Sequence, residues 1–310
     1  MFSVIFPPSV VGALTVAAYL AATVAAFVPL APALLLKLIP YRPLQRACSR
    51  WCVGVATTWV AVCKMVFRLL HAEQWQLDLR TPLEPGRNYL LISNHQSWAD
   101  ILVLFDLLHG RAPFPRFFLK HALLYVPVIG MACWGMDFPF MRRYSKAQLA
   151  AHPELKGQDV EATRRACEIY RSEPVTVINF LEGTRFSEAK RVARQSPYRH
   201  LLRPKAGGLS FTLNAMGEQF AGIIDVTIAY RPSRHSLLWS WASGEQDQLA
   251  VHVDVLPIPA ELAQGDYEHD AEFRARFQTW VNTLWARKDA RLGRMLDARP
   301  TMQEQRPAAL

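Results

Sequence analysis

The residues best suited to chemistry in this sequence are His95 and Asp100, five positions apart in the stretch Asn94-His95-Gln96-Ser97-Trp98-Ala99-Asp100. A neutral imidazole can take the proton of a hydroxyl in a transition state, and such general-base catalysis contributes roughly 10²–10⁴-fold in rate. A carboxylate on the other ring nitrogen fixes the tautomer and stabilises the imidazolium. The pair therefore predicts a general base with an orienting partner.

The spacing of these two residues decides whether their side chains can meet. Five residues of a straight helix turn through about 500°, so the two side chains would diverge by roughly 140°. They can meet only if His95 lies in a loop and Asp100 in the first turn of the next helix. Ser97 suits the N-cap of that helix and places Asp100 at its third position. The same pattern allows a second interpretation, in which Asp100 only stabilises the helix terminus by about 0.3–1 kcal/mol.

A second motif, Phe180-Leu181-Glu182-Gly183-Thr184-Arg185, follows another apolar run and could bind an anion. Gly183 permits close approach to the backbone, and the planar guanidinium of Arg185 matches phosphate. If the two apolar runs are parallel strands, both motifs emerge at the carboxyl edge of one sheet, where ligand sites of α/β proteins usually lie. The alternative is a strand-end turn with a surface ion pair.

A third stretch, from Lys120 to Arg143, places basic residues at both ends of an apolar, helix-like segment. Arg142 and Arg143 could hold phosphate or the oxygens of a donor molecule, and Lys120 could stabilise a developing oxyanion. A lysine whose stem lies along apolar surface, and a solvated basic turn, are the alternatives for these residues.

Strands that alternate with helices must position these motifs. Buried strands are predicted at Tyr89–Ile92, Val175–Leu181, Gly222–Tyr230 and Leu249–Leu256, and helices at Trp98–Leu108, Gln158–Tyr170 and Phe273–Arg294. This alternation predicts an α/β fold, a partly parallel sheet flanked by helices.

The N-terminal part of the chain predicts a membrane segment. Residues 2–36 carry no charge, and the run from Val10 to Leu36 can cross about 30 Å of hydrocarbon. It lacks the basic start and the short apolar core of a signal peptide. Pro29 and Pro32 predict a kink or a helix end near them. The basic residues that follow place that side in the cytoplasm: Lys37, Arg42, Arg46 and Arg50.

A second apolar patch, Trp51–Cys63, is short for a span, so an interfacial or re-entrant helix is expected. A span with a surface helix and a hairpin in one leaflet both remain open. The division expected is membrane-anchoring helices over residues 1–70, an α/β domain over 71–298 and a flexible polar tail over 299–310.

Composition favours a membrane over nucleic acid as the partner of this basic chain. The 310 residues are 51% hydrophobic with a net charge of +9, so the chain is not of the disordered class. No basic block with interleaved aromatic residues marks a nucleic-acid groove. The five cysteines lack paired metal-ligand spacing and are expected to be reduced and buried, so no metal is predicted.

Together the three motifs resemble those of the lysophosphatidate (1-acyl-glycerol-3-phosphate) acyltransferase family, part of the glycerolipid acyltransferase superfamily. That family carries an N-H-x4-D block, a lysine/proline/glycine block that ends in an arginine, and an F-P-E-G-T-R block. The matching residues stand in the same order here: Asn94-His95 with Asp100; Lys120, Pro127, Gly130, Phe140 and Arg142; and Phe180 with Glu182-Gly183-Thr184-Arg185. The FMRRYS and DVTIAY segments resemble the YihG-like group of bacterial acyltransferases in particular.

The resemblance implies roles for these residues. His95 is the general base and Asp100 its partner, while the Glu182-Gly183-Thr184-Arg185 block contacts the acceptor phosphate. Arg142 matches the arginine of the middle block, with Arg143 as the alternative. Two departures bear on the acceptor: Leu181 replaces a frequent proline, and Ile224-Asp225-Val226-Thr227 replaces a proline-bearing apolar block.

The expected function is therefore acyl transfer from acyl-CoA or acyl-carrier protein to 1-acyl-glycerol-3-phosphate at the inner membrane, with the catalytic domain in the cytoplasm and no cofactor. The acceptor hydroxyl attacks directly, because no G-x-S-x-G nucleophile motif is present. The alternatives are another lysophospholipid acceptor (lysocardiolipin, lysophosphatidylglycerol or lysophosphatidylinositol), a non-catalytic lipid-binding scaffold, and a thioesterase that uses the same base on water.

Overall fold

The computed structural model of the chain describes residues 5–71, 75–141, 168, 170, 173–231, 233, 235–245 and 249–298. Its α-helices are α1 (Pro8–Leu36), α2 (Arg42–Leu70), α3 (Ala99–Leu108), α4 (Ile129–Gly135), α5 (Glu188–Ala193), α6 (Gly207–Met216), α7 (Leu237–Ala242), α8 (Ala260–Ala263) and α9 (Ala271–Asp297). Its strands are β1 (Gln76–Leu79), β2 (Asn88–Ser93), β3 (Pro115–Phe117), β4 (Leu119–Lys120), β5 (Phe140–Met141), β6 (Thr176–Asn179), β7 (Phe220–Ala229) and β8 (Ala250–Leu256).

Six of these strands form a mixed sheet in the order β1-β8-β7-β2-β6-β3. The pairs β1/β8, β7/β2, β2/β6 and β6/β3 are parallel, and β7/β8 is antiparallel. Strands β4 and β5 form a separate parallel pair. The predicted α/β fold with a partly parallel sheet is confirmed.

Helices cover both faces of the sheet. The hairpin α1–α2 packs with α3 and α7 against one face, which includes Leu91 of β2. Helices α6 and α9 cover the other face, which includes Leu90 and Ile92. Strand β2 therefore has buried side chains on both faces, and this is why it is a continuous apolar run in the sequence.

The four predicted strands correspond to β2, β6, β7 and β8, and two predicted helices correspond to α3 and α9. The predicted helix over 158–170 lies almost wholly outside the described residues. Strand β1 escaped prediction because its four residues are largely exposed at the edge of the sheet and carry no long apolar run.

Helices α1 and α2 form an antiparallel hairpin, and each is long and apolar enough to cross a membrane. Helix α1 continues through Pro29 and Pro32 and ends at Leu36, four residues beyond the second proline. Helix α2 extends well beyond the Trp51–Cys63 patch on both sides, so the helix is longer than that patch suggested.

The apolar segment after Lys120 is two short helices rather than one. A 3₁₀ helix over His121–Tyr125 precedes α4. A Cβ at Gly130 would lie 2.2 Å from the carbonyl oxygen of Leu124, so only glycine lets α4 approach that helix. The glycine of the middle motif therefore has a packing role.

Two ion pairs join β7 to α9 on the face of the sheet that α6 and α9 cover. Lys288 is fully buried and pairs with Asp225, while Nη1 of Arg291 lies 2.9 Å from Asp225 Oδ2. Asp225, which stands in the segment that replaces the proline-bearing apolar block, is thus matched by two cations on the helix that covers it.

Candidate active site

The two central motifs meet where parallel strands β2 and β6 end at the same edge of the sheet. His95 follows β2 in the loop before α3, and Glu182 follows β6. The backbone amide of Phe186 donates to the carbonyl of His95 at 2.7 Å. The loops after both strands are therefore bonded to each other.

His95 and Asp100 adopt the arrangement that their spacing requires. Asp100 lies in the first turn of α3, and His95 Nδ1 lies 2.8 Å from Asp100 Oδ2. The same oxygen accepts from the backbone amides of Gln96 and Ser97 at 2.7 and 2.9 Å, and the Ser97 hydroxyl accepts from the Ala99 amide at 3.2 Å. Helix α3 begins at Ala99 with Trp98 as its N-cap and no side-chain hydrogen bond at that cap, so the predicted Ser97 cap is one residue too early. Asp100 binds the two amides that precede the helix and orients the histidine.

Glu182 holds the backbone of the histidine loop. Its side chain is fully buried, with Oε1 accepting from the His95 amide and Oε2 from the Leu202 amide, each at 3.0 Å. Burial raises the pKa of this carboxyl to about 7. Since both oxygens serve the backbone, the geometry gives no support to the expected contact between Glu182 and an acceptor.

Three further side chains support the pair. The ring of Phe180 stacks on the His95 imidazole with 4.1 Å between centroids. The Asn94 amide exchanges two hydrogen bonds with the backbone of Ile228, at 2.8 and 2.9 Å. The Tyr230 hydroxyl donates to Asp100 Oδ1 at 2.7 Å. The sequence motifs contained Phe180 and Asn94 without showing these contacts; Tyr230 could have been found because it ends a strand at the same edge.

The predicted cationic groups are only partly brought together. The Arg185 guanidinium lies over the Trp98 ring at 5.2 Å, beside the first turn of α3. Gly183 has a φ of 66°, which favours glycine, and Lys190 Nζ donates to the Thr184 hydroxyl at 3.1 Å.

Lys120 is exposed on β4, and no hydrogen bond or ion pair joins it to His95 within the described residues. Arg142 and Arg143 lie outside the described residues.

The described residues contain no cluster of three or more histidine, cysteine, aspartate or glutamate side chains arranged to hold a metal ion. The site offers an oriented imidazole, a guanidinium on the loop after β6 and glycine-containing backbone at a strand end.

The sheet, the helical hairpin and the histidine–aspartate pair together define an α/β protein with two candidate membrane helices and a candidate proton-accepting site. A model of the acyltransferase family matches residues 76–231, half of the chain, and this range contains the whole constellation described above. The chain belongs to the acyltransferase family.

Curated relatives span several lysophospholipid acyltransferases. The chain is 24% identical to the 2-acyl-1-lysophosphatidylinositol acyltransferase of Saccharomyces cerevisiae, over 67% of this chain and 61% of the relative. It is also 24% identical to the lysophospholipid acyltransferase LPEAT1 of Arabidopsis thaliana (62% and 43%) and to the human 1-acyl-sn-glycerol-3-phosphate acyltransferase gamma (65% and 51%). The chain thus spans about half the length of the curated relatives it matches.

Among solved structures, the chain is similar to the 1-acyl-sn-glycerophosphate acyltransferase PlsC of Thermotoga maritima. The TM-score is 0.46 and the identity 18%, with 90% of this chain and 95% of that chain covered.

We predict that Glu182→Gln lowers the free energy of unfolding by about 1–3 kcal/mol at low pH, because a glutamine has one acceptor oxygen for two amides. The difference from wild type should shrink as pH rises. The native-state pKa of Glu182, about 7, exceeds the ordinary value of 4.5, so the native state binds the proton more tightly and wild type loses stability between these values.

Urea unfolding in detergent at pH 4.5 and pH 7.5 measures both effects. Glu261→Gln, which changes an exposed glutamate on α8, is the control and should alter neither value. A difference between Glu182→Gln and wild type that stays constant with pH would contradict the assigned direction.

Proposed function

We propose that this chain is a lysophospholipid acyltransferase in which His95 acts as the general base. The observation that supports this proposal most is the hydrogen bond between His95 Nδ1 and Asp100 Oδ2, at 2.8 Å. When the imidazole is neutral and Nδ1 carries the proton, Nε2 has a free lone pair. No hydrogen bond reaches Nε2 from the described residues, and the side chain keeps 16% of its surface exposed. That nitrogen is the one available to a substrate hydroxyl.

The proposed reaction moves the acyl group in one addition and one elimination. The acceptor hydroxyl oxygen bonds to the thioester carbonyl carbon while its proton passes to His95 Nε2. The carbon–sulfur bond of the tetrahedral intermediate then breaks, and the imidazolium returns the proton to the thiolate leaving group. Asp100 stabilises the imidazolium between these steps. The donor is acyl-CoA or acyl-carrier protein, and the products are the diacyl lipid and the free thiol.

The proposed acceptor is 1-acyl-glycerol-3-phosphate, which would give phosphatidic acid. Support comes from relatives named for lysophospholipid substrates, one of them for 1-acyl-sn-glycerol-3-phosphate. Because those names differ in head group, lysophosphatidylinositol, lysophosphatidylglycerol and lysocardiolipin are the alternative acceptors. Arg185 is the proposed phosphate ligand, since its exposed guanidinium lies over Trp98. The next residue, Phe186, donates its amide hydrogen to the carbonyl of His95, which keeps this loop beside the base.

The proposed location is the cytoplasmic leaflet of the inner membrane, with the hairpin lying in that leaflet. Gly12, near the start of α1, approaches Trp239 of α7, and Leu34, near its end, approaches Gly135 of α4. These contacts are about 33 Å apart along the helix, close to the thickness of the hydrocarbon core. A hairpin perpendicular to the bilayer would therefore draw the α/β domain into hydrocarbon.

The opposite side of α1 fits contact with lipid. Leu20, Val24 and Val28 are 62%, 65% and 72% exposed. An apolar strip of this kind buries its surface by lying in the acyl-chain region while the covered side faces the domain. This arrangement favours the one-leaflet hairpin over two spans.

We predict that His95→Ala lowers acyl transfer by about 10²–10⁴-fold, because no base then takes the acceptor proton. Labelled acyl incorporation by purified protein in detergent measures this. The matched control is His269→Ala, which removes an exposed histidine bonded to Asp266 at 2.8 Å and should retain full activity.

The same assay separates the two rival functions. Equal incorporation by wild type and His95→Ala would favour a lipid-binding scaffold. Release of free thiol at the same rate with and without lysophospholipid would favour a thioesterase, because its acceptor is water.

We predict that Arg185→Ala raises the acceptor KM about 10- to 100-fold and changes kcat much less, because a charged hydrogen bond to phosphate contributes roughly 1.5–3 kcal/mol. Arg199→Ala removes another exposed arginine and serves as the control. An unchanged KM for the phosphate-bearing acceptor would exclude Arg185 from the acceptor site.

We predict that the α1–α2 turn is accessible from the same side of the membrane as the catalytic domain. Single cysteines at Leu38 and Arg194, introduced after replacement of the native cysteines, would report the turn and the domain. In vesicles of defined orientation, an impermeant maleimide should label both from the cytoplasmic side. Labelling of position 38 from the opposite side alone would establish two spans and overturn the one-leaflet arrangement.

A further inference from the structure

A buried tyrosine contacts the carboxylate of the base pair from the side opposite the histidine. Tyr230 follows β7 directly and is 4% exposed. Its hydroxyl donates to Asp100 Oδ1 at 2.7 Å. Asp100 Oδ2 receives three donors, whereas the hydrogen bond from Tyr230 is the only one to Oδ1 within the described part of the chain.

The sheet sets the positions of both the tyrosine and the histidine. Strands β2 and β7 are parallel neighbours, with Ser93 beside Val226 in register. Beyond that pair, the Asn94 side chain accepts from the Ile228 amide and donates to the Ile228 carbonyl. His95 is one residue beyond Asn94 and Tyr230 is two residues beyond Ile228. Their separation is therefore set by the sheet and not by a flexible loop.

We propose that Tyr230 is a positioning residue for the reaction proposed above, holding the Asp100 carboxylate so that its second oxygen faces His95 Nδ1. This inference rests on the proposed function. Rotation about the Cβ–Cγ bond of Asp100 would carry Oδ2 away from His95 Nδ1 and from the two backbone amides, and the hydrogen bond from Tyr230 to Oδ1 adds a restraint against that rotation. With both oxygens bonded, the orientation of the ring and of Nε2 is fixed.

The Tyr230 hydroxyl keeps its proton and so remains a donor to Asp100. Burial first, and the charge of Asp100 second, raise the pKa of Tyr230 well above its ordinary value, so the hydroxyl stays a donor throughout the working range. Within the described residues, the other ionisable groups near the pair are Glu182, on the loop after β6, and Arg185 beyond it, over Trp98. Without the phenolic donor, Asp100 would attract the imidazolium proton more strongly.

A solely structural role makes a different prediction. If Tyr230 only supplied a hydrogen bond to the buried oxygen of Asp100, its loss would lower the stability of the protein alone. If it positions the base, its loss also changes the turnover number and the pH dependence of that number. Tyr230→Phe removes only the hydroxyl and keeps the ring. We expect kcat to fall about 10- to 100-fold, the acceptor KM to stay near wild type, and the acid limb of the pH–rate profile to move up by up to about one unit.

The matched control is Tyr89→Phe. Tyr89 is also buried, at 3% exposure, and its hydroxyl accepts one hydrogen bond from the Glu84 amide at 3.1 Å. It lies near the start of β2, whereas His95 follows the end of that strand. This variant should lose comparable stability and keep the wild-type kcat and pH profile. If Tyr230→Phe behaves like Tyr89→Phe in both kinetic measurements, Tyr230 has no positioning role.

A second measurement does not depend on acyl transfer. Diethyl pyrocarbonate modifies neutral imidazole, and its rate at His95, taken as the difference from His95→Ala in each background, reports the protonation of the ring. The midpoint of this rate against pH should move upward in Tyr230→Phe. A shifted midpoint in a protein without acyltransferase activity would refute the proposed function alone, and an unshifted midpoint would overturn the inference on Tyr230.

Discussion

Asp100 is a carboxylate with no exposed surface, and the arrangement of the site follows from the donors it needs. A buried charge without partners costs several kcal/mol, so the chain must bring donors to it. It receives them from the His95 ring, from the backbone of Gln96 and Ser97, and from Tyr230. These groups belong to the loop after β2, the start of α3 and the end of β7. One ion therefore fixes three elements relative to one another, and the imidazole is one of its ligands.

Glu182 applies the same constraint from the opposite side of the histidine. Its two oxygens accept backbone amides from the loop of His95 and from the segment of Leu202, so it fixes where the main chain lies while Asp100 fixes how the ring is turned. Burial raises the pKa of Glu182 to about 7, and its donors are two backbone amides, whereas the donors of Asp100 include the His95 ring and the Tyr230 phenol. Two acids in one site thus have separate tasks because their donors differ.

The sequence predicted the elements that repeat an apolar pattern and missed the contacts made across the sheet. The strands that became β2, β6, β7 and β8 were predictable because side chains buried on one or both faces leave apolar runs. The meeting of His95 and Asp100 followed from helix geometry and a cap signal. Glu182 was assigned to a ligand because a motif gives residue types and not directions. Tyr230 is 130 residues from Asp100, and only the strand order brings the two together.

Helix α3 connects the site to the hairpin. Its first turn carries Asp100, and its later residues contact α2, with Phe105 edge-on to Trp59 and Asp106 paired to Lys64. The ten-residue helix is about 15 Å long, so Asp100 lies within that distance of the residues of α3 that contact α2. A displacement of the hairpin would therefore act on Asp100 through α3. In the proposed one-leaflet arrangement, α3 therefore links the position of the base to the position of the hairpin.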